Sequence, residues 1–342
     1  MSEVTANTGE GMAAVAESSA RSKPPRPSFG VYVERYGIIA IWALIAIIFS
    51  LLRPQSFATL TNLKTILGTQ AVLLVLTLGL LVPLTVGEFD LSVASMMSFA
   101  AIVVAELSGV HHLNLILSIL VTLAIGVGVG LLNAFVVVRL GVSSFITTLG
   151  IGTLLGGLSY GISGSVTIGA VPSVLLTFAS KLIFGLPLAF YYGVLLCFAV
   201  WYVFQHTPLG RHLVFVGEGR EIAQLSGLPV RRIRTGSLIV SALVASFAGL
   251  LQAGVVGAAD PGAGTSFLLP AFAAAFLGAT AIRPGRFNAW GTFVAVYFLV
   301  TGITGLELLG YTGWVQDVFY GGALVIAVAL GRVVANSRVK SR

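Results

Sequence analysis

Within a long apolar sequence, the stretch "GEFDLSVAS" (residues 87–95) gathers two carboxylates and two hydroxyls, those of Glu88, Asp90, Ser92 and Ser95. Gly87 interrupts the apolar run ahead of them, and Asp90 is a residue type that caps a following helix, on which Ser92 and Ser95 would stand one helical step apart. Such groups exchange hydrogen bonds with polar solutes. Two arrangements fit: a turn at a membrane edge with Asp90 as a plain N-cap, or a break at membrane depth with the four groups lining a pathway. Carboxylates inside a bilayer are costly and are tolerated where they face water or a polar solute. Bond-breaking chemistry has less support. The sequence has no carboxylate pair set for acid–base work, no histidine cluster and no nucleophile beside a base, so no catalytic residue is assigned. His111, His112, His206 and His212 lack an acidic or cysteine companion at ligand spacing, and no metal site is assigned either.

A second stretch, "GREIAQLSGLPVRRIR" (219–234), is polar where its flanks are apolar. Arg220 and Glu221 open a short helix, and Gly227 followed by Pro229 ends it. Ile222 and Leu225, three apart, make a stripe too small to anchor a helix in lipid but suited to a groove on a soluble partner. A solvated loop is the alternative.

Both stretches need a frame, and composition names it. Of 342 residues 57% are hydrophobic and 9% charged, with a mean hydropathy of +1.00, outside the range of soluble domains. Apolar runs fall at about 37–52, 66–86, 91–107, 115–138, 145–163, 187–205, 236–257, 266–282, 287–305 and 314–331. Runs of about twenty residues cross a bilayer core as helices, so the fold class is an all-α polytopic membrane protein with about ten transmembrane helices. The third run is short and the fifth rich in glycine, which fits tilted, broken or re-entrant helices. With the N-terminus inside, every Lys and Arg except Arg53, Lys64 and Lys181 falls on the cytoplasmic side. Both termini are then cytoplasmic, and the stretch 206–235 is the largest cytoplasmic loop.

Residues 1–30 read as a disordered cytoplasmic arm, 31–334 as the membrane domain and 335–342 as a basic cytoplasmic tail. The basic residues cluster at membrane edges with no aromatic platform beside them, which makes the lipid bilayer and not nucleic acid their partner. Cys197, the single cysteine, lies inside an apolar run and reads as a buried thiol. "GAADPGAGTS" repeats in Gly257 and Asp260 the spacing of Gly87 and Asp90, on the opposite side by the charge count. An inverted repeat of helices 2–5 and 7–10 would produce that match.

The spacing of Glu221, Ala223 and Gly227 resembles the E-x-A-x-x-x-G signature of the coupling helix in ATP-binding-cassette (ABC) importer permeases. The surrounding run "TPLGRHLVFVGEGREIAQLSGLPVRRIRTGSLIVSALVASFAGLLQA" resembles the permease subunits of ribose, xylose and related sugar importers. So do "TVGEFDLSVASMMSFAAIVVAE" and "LGVSSFITTLGIGTLLGGLSYGISG", and the likeness covers about residues 40–330. The resemblance implies a multi-pass permease of the bacterial plasma (inner) membrane, paired with a second permease subunit as a homodimer or heterodimer. It further implies cytoplasmic ABC ATPase subunits and a periplasmic or lipid-anchored sugar-binding protein. Glu221, Ile222, Ala223, Leu225 and Gly227 would couple to the ATPase, while Glu88, Asp90, Ser92 and Ser95 would line the pathway. ATP and magnesium would sit on the partner, with no cofactor on this chain. The sequence itself holds no Gly-Lys pair, so it has no phosphate-cradling loop of the G-x-x-x-x-G-K-[ST] kind.

The pattern departs from the family at "FLLPAF" (267–272) and "ATAIRPGRF" (279–287), where many relatives carry an acidic residue and a glycine-rich turn. There Arg283 and Arg286 read as edge anchors, with a role beside the ATPase as the sharper alternative. An ion-gradient-driven secondary transporter is the competing class, but it calls for ionisable residues deep within several spans, and few are present.

Overall fold

The computed structural model describes the backbone of residues 29–311 and 313–340, with side chains from Arg35 to Ala329 within them. Of the sequence-predicted arm, all but Phe29 and Gly30 lies outside the described residues, as do the last two residues of the tail. Helix α1 spans Phe29–Leu52, and α2 (Leu60–Thr69) and α3 (Ala71–Thr85) form one apolar unit bent by 40°. α4 (Ser92–Val104) continues into a π-helical turn at Ala105–Val110, and α5 (Leu115–Ala134) into another at Phe135–Arg139. α6 (Ser144–Ile162) and a short α7 (Ser173–Ser180) lead to a two-stranded hairpin, β1 (Leu182–Ile183) and β2 (Leu186–Pro187). Then come α8 (Leu188–His206), α9 (Pro208–Glu218), α10 (Arg220–Leu225), α11 (Val230–Val256), α12 (Thr265–Gly278), α13 (Ala289–Leu308) and α14 (Trp314–Lys340).

Every one of the ten apolar runs coincides with a helix. Among the described residues seven helices are long and apolar enough to cross a membrane, and the bent α2–α3 pair makes an eighth. α12 and the Trp314–Ala329 part of α14 are apolar but shorter. The break falls in the second run and not in the third or fifth: α6 is continuous, and the π-helical turn brings the third run to 19 residues. The stretch 206–235 is also more ordered than a loop with one helix. Thr207 caps α9 by accepting the amide of Gly210, and Pro208 supplies the fixed φ of a first helical residue.

A helix that is apolar all round belongs inside a bundle, and α3 is the clearest case. Leu73, Leu74, Leu76, Leu78, Leu80 and Leu81 are all fully buried on it. The long α11 packs along α3, α4, α5 and α7, and α13 packs against α1, α3 and α12. Gly126 and Gly130 of α5 face Ala242 and Leu238 of α11, so the two backbones approach closely, the small-residue contact that membrane helices use where water provides no driving force. The outer helices expose large apolar side chains, among them Leu44, Ile116, Ile146 and Leu195, a surface fit for lipid. Cys197 on α8 is buried.

Among the described residues, basic side chains assigned to one side by charge count do share one end of the bundle. Arg220 and Arg234 meet Glu88, Arg286 meets Glu218, and Arg283 meets Gln205. The Ile282 amide donates to the Arg35 carbonyl, and Arg139 lines a groove with Arg231 and Arg232. Lys64 lies with the β1–β2 hairpin at the other end. The two turns matched by spacing also match in conformation. Gly87 and Gly257 both have φ +76°, and each following aspartate accepts the amide two residues on, Asp90 from Ser92 and Asp260 from Gly262. The helices that follow meet, the amide of Gly264 donating to the Ser98 hydroxyl.

Candidate functional site

Pro83 and Gly87 end α3. The Gly87 amide donates to the Leu84 carbonyl and the Glu88 amide to the Pro83 carbonyl, the paired bonds that close a helix on a left-handed residue. The next three residues belong to no helix or strand, and their side chains alternate between buried and exposed. Glu88 is 2% exposed, and its Oε1 accepts from Arg220 Nη2 at 2.7 Å and Arg234 Nε at 2.6 Å. The Arg220 guanidinium also donates to the Gly87 carbonyl. Asp90, fully buried, accepts from the Ser92 amide at 3.1 Å and its hydroxyl at 2.5 Å, and Asn133 Nδ2 donates to the Ser92 oxygen. The helix cap position falls on Leu91, whose side chain caps nothing, so Asp90, the sequence-predicted N-cap, stands one residue ahead of it and bonds the first helical amide from there. Ser92 is buried as well, and Ser95 is half-buried on α4.

Phe89 points outward between these two inward carboxylates. Its backbone is held on both sides by α6: the amide donates to Ser144 Oγ and the carbonyl accepts from Thr148 Oγ1, each at 3.1 Å. Thr148 Oγ1 accepts in turn from the Leu91 amide. The Phe89 ring is 39% exposed and stacks with Phe272 and Phe276 of α12, at centroid distances of 6.3 and 6.4 Å. Such stacking exploits the offset geometry that aromatic quadrupoles favour.

The short helix α10 has two unlike faces. Ala223 is fully buried in an apolar cluster with Val86, Leu213, Val216 and Ile233, so its inner face rests on the residue just before Gly87. Ile222 and Leu225 are 63% and 89% exposed, and Glu221 is exposed beside them. Gly227, at φ +81°, ends the helix. Its amide donates to the Gln224 carbonyl and the Leu228 amide to the Ala223 carbonyl, the same closing motif as at Gly87.

A family described as branched-chain amino acid transport system / permease component matches residues 62–328. The chain belongs to that family. It is 30% identical over 300 residues to the ribose import permease protein of Escherichia coli (strain K12), covering 86% of this chain and 92% of the relative. It is 26% identical over 320 residues to the D-allose transport system permease protein of the same strain, covering 94% and 98%. To the galactose/methyl galactoside import permease protein of Salmonella typhimurium (strain LT2) it is 28% identical over 324 residues, covering 89% and 96%. No solved structure matches the chain. It is a multi-pass plasma-membrane permease of the ABC importer type, which favours the ATP-driven class over the ion-gradient one.

Within the permease, the residues singled out in sequence form two groups joined by contact. Glu88, Asp90 and Ser92 all lie at the break after α3, and α10 rests on that break through Ala223 and Arg220. Gly257 and Asp260 lie apart, at the turn between α11 and α12. Sequence reasoning missed Phe89, Asn133, Arg220 and Arg234. Arg220 was legible as a helix-start residue and Arg234 as a charge but neither as a partner of Glu88, Phe89 reads as one apolar residue among many, and the pairing across 132 residues leaves no local pattern. Arg283 and Arg286 reach Gln205 and Glu218 at the ends of α8 and α9. His111 finds an acidic neighbour in Glu106, at 3.4 Å.

Proposed function

We propose that the chain is the pathway-forming subunit of an ATP-driven importer that takes a monosaccharide or related polyol, handed over by a binding protein, into the cytoplasm. The single observation that carries the mechanism is the two-faced α10. Its exposed apolar residues Ile222 and Leu225 are free for a groove on an ATPase, while Ala223 bears on the break after α3. Closure of a pair of ATPase subunits, holding ATP and magnesium, then moves α10 as a rigid body and biases the permease between two states. Two permease subunits, identical or not, complete the pathway between them.

The sugar reading rests on the relatives, whose names specify ribose, D-allose and galactose or methyl galactoside. Sugar hydroxyls lose water hydrogen bonds on entering a pore and need polar replacements. Half-buried Ser95 is the best-placed of the predicted hydroxyls, while buried Glu88, Asp90 and Ser92 hold the break from behind.

Purification of the chain from its native membrane, with ATPase and binding protein retained, tests the class, and uptake of labelled ribose, allose, galactose and leucine tests the cargo. Gly227→Glu tests α10. The site offers open space, so the strain is that of a side chain forced to φ +81°, about 1–2 kcal/mol, confined to the end of α10. The variant is expected to be recovered folded, to lose ATPase pull-down and to lose uptake. Native values for both would refute the docking of an ATPase on α10.

A further inference from the structure

The contact that joins α10 to the break stands one residue from the only outward-facing side chain among Glu88, Phe89 and Asp90. We propose that Glu88 and Phe89 work as a lever: Arg220 grips Glu88, and Phe89 is the moving half of an aromatic gate that closes against Phe272 and Phe276. The proposal rests on the reading of α10 as the element an ATPase moves.

Four observations support it. First, Arg220 belongs to α10 and Glu88 does not, so their 2.7 Å contact is a physical tie between the two elements, reinforced by the bond from Arg220 to the Gly87 carbonyl. Second, the Arg220 side chain is 43% exposed and that of Arg234 only 16%. Arg234, on the long α11, therefore acts as the fixed support of Glu88, and Arg220 as the part that can travel. Third, the Phe89 backbone is bonded on both sides to α6, its amide to Ser144 and its carbonyl to Thr148, so the break and the start of α6 form one body that carries the ring. A displacement of Glu88 that carries this body with it reaches the ring. Fourth, the ring partners are on α12, whereas the side-chain bonds that hold Glu88 and the Phe89 backbone come from α10, α11 and α6, so Phe89 can move relative to them. Stacked rings form an apolar plug that excludes a hydroxylated solute, and separating them by a few ångströms opens it.

The lever and the gate make separable predictions. Phe89→Ala in proteoliposomes is expected to let the monosaccharide that the native complex accepts escape from preloaded vesicles without ATP, at least tenfold faster than the native protein. Phe89→Tyr should stay tight. A residue that only packs would lower thermal stability and leave ATP-independent leakage unchanged. Arg220→Gln should keep the ATPase bound and hydrolysing while sugar moved per ATP falls about tenfold, with no leak, and Arg220→Lys should restore part of the coupling. As a check independent of folding losses, a short bifunctional thiol reagent across Phe89→Cys and Phe276→Cys, whose native rings are 6.4 Å apart, should block uptake until it is cleaved. Native uptake in the cross-linked pair, or native tightness in Phe89→Ala, would overturn the gate. Native sugar per ATP in Arg220→Gln would overturn the lever. Failure of the underlying reading looks different, since there the ATPase would bind Gly227→Glu as well as it binds the native chain.

Discussion

Glu88 accepts two guanidinium groups on one oxygen atom, whereas Asp90, two residues on, has only hydroxyl and amide donors. The same residue class thus does two jobs within one turn. Asp90 is fully buried, and its removal would take the side-chain partner from the Ser92 amide and from the Ser92 hydroxyl that Asn133 bonds. A stranded buried polar group costs about 1–3 kcal/mol. Asp90→Ala is therefore expected to lower thermal stability and complex recovery by that order, with uptake per recovered complex close to native. Melting of the purified complex alongside uptake checks it, and full stability with abolished uptake would return Asp90 to the pathway. At this scale the sequence was half legible. Carboxylates in an apolar run announce themselves, since burying them needs a reason, but which way each one faces depends on Arg220 and Arg234, far along the chain.

Helices were read with more success, because a run of apolar residues long enough to span a bilayer has few alternatives. What hydropathy could not reveal is how the runs end. The π-helical turns at Ala105–Val110 and Phe135–Arg139 and the bend between α2 and α3 reflect local packing and hydrogen bonding, which leave the apolar pattern unchanged. α9 hid for a different reason: it is short and half polar, so it reads as loop until Leu213 and Val216 are seen buried against Val86. Packing between helices is more testable. A Cβ added at Gly130 would lie 2.6 Å from the Ile239 Cα on α11, whereas one at Gly128 would meet nothing within 4 Å. Gly130→Leu should therefore push α5 off α11 and cost about 1–3 kcal/mol, with poor recovery of monodisperse protein, while Gly128→Leu is tolerated. Equal behaviour of the two would mean that α5 does not rest on α11 as described.

Across the whole molecule, charge placed the ends of the bundle before any contact was known. Arg35, Arg139, Arg220, Arg234, Arg283 and Arg286 meet at one end, and Lys64 lies at the other. The charge rule assigns that crowded end to the cytoplasm. A cysteine at Arg231 should then be labelled from the cytoplasmic side alone and one at Lys181 from outside alone, and labelling of both from one side would refute the arrangement. The matching turns at Gly87 and Gly257 were legible as a spacing, and the shared φ of +76° extends the match to backbone conformation. Cys197 adds something to every such measurement. It is the chain's single cysteine, and its thiol is sealed between α8 and the core. The unaltered permease is thus its own blank, and any slow reaction of that blank with a thiol reagent keeps time for the rare opening in which α8 lifts away, a clock already installed in the native chain.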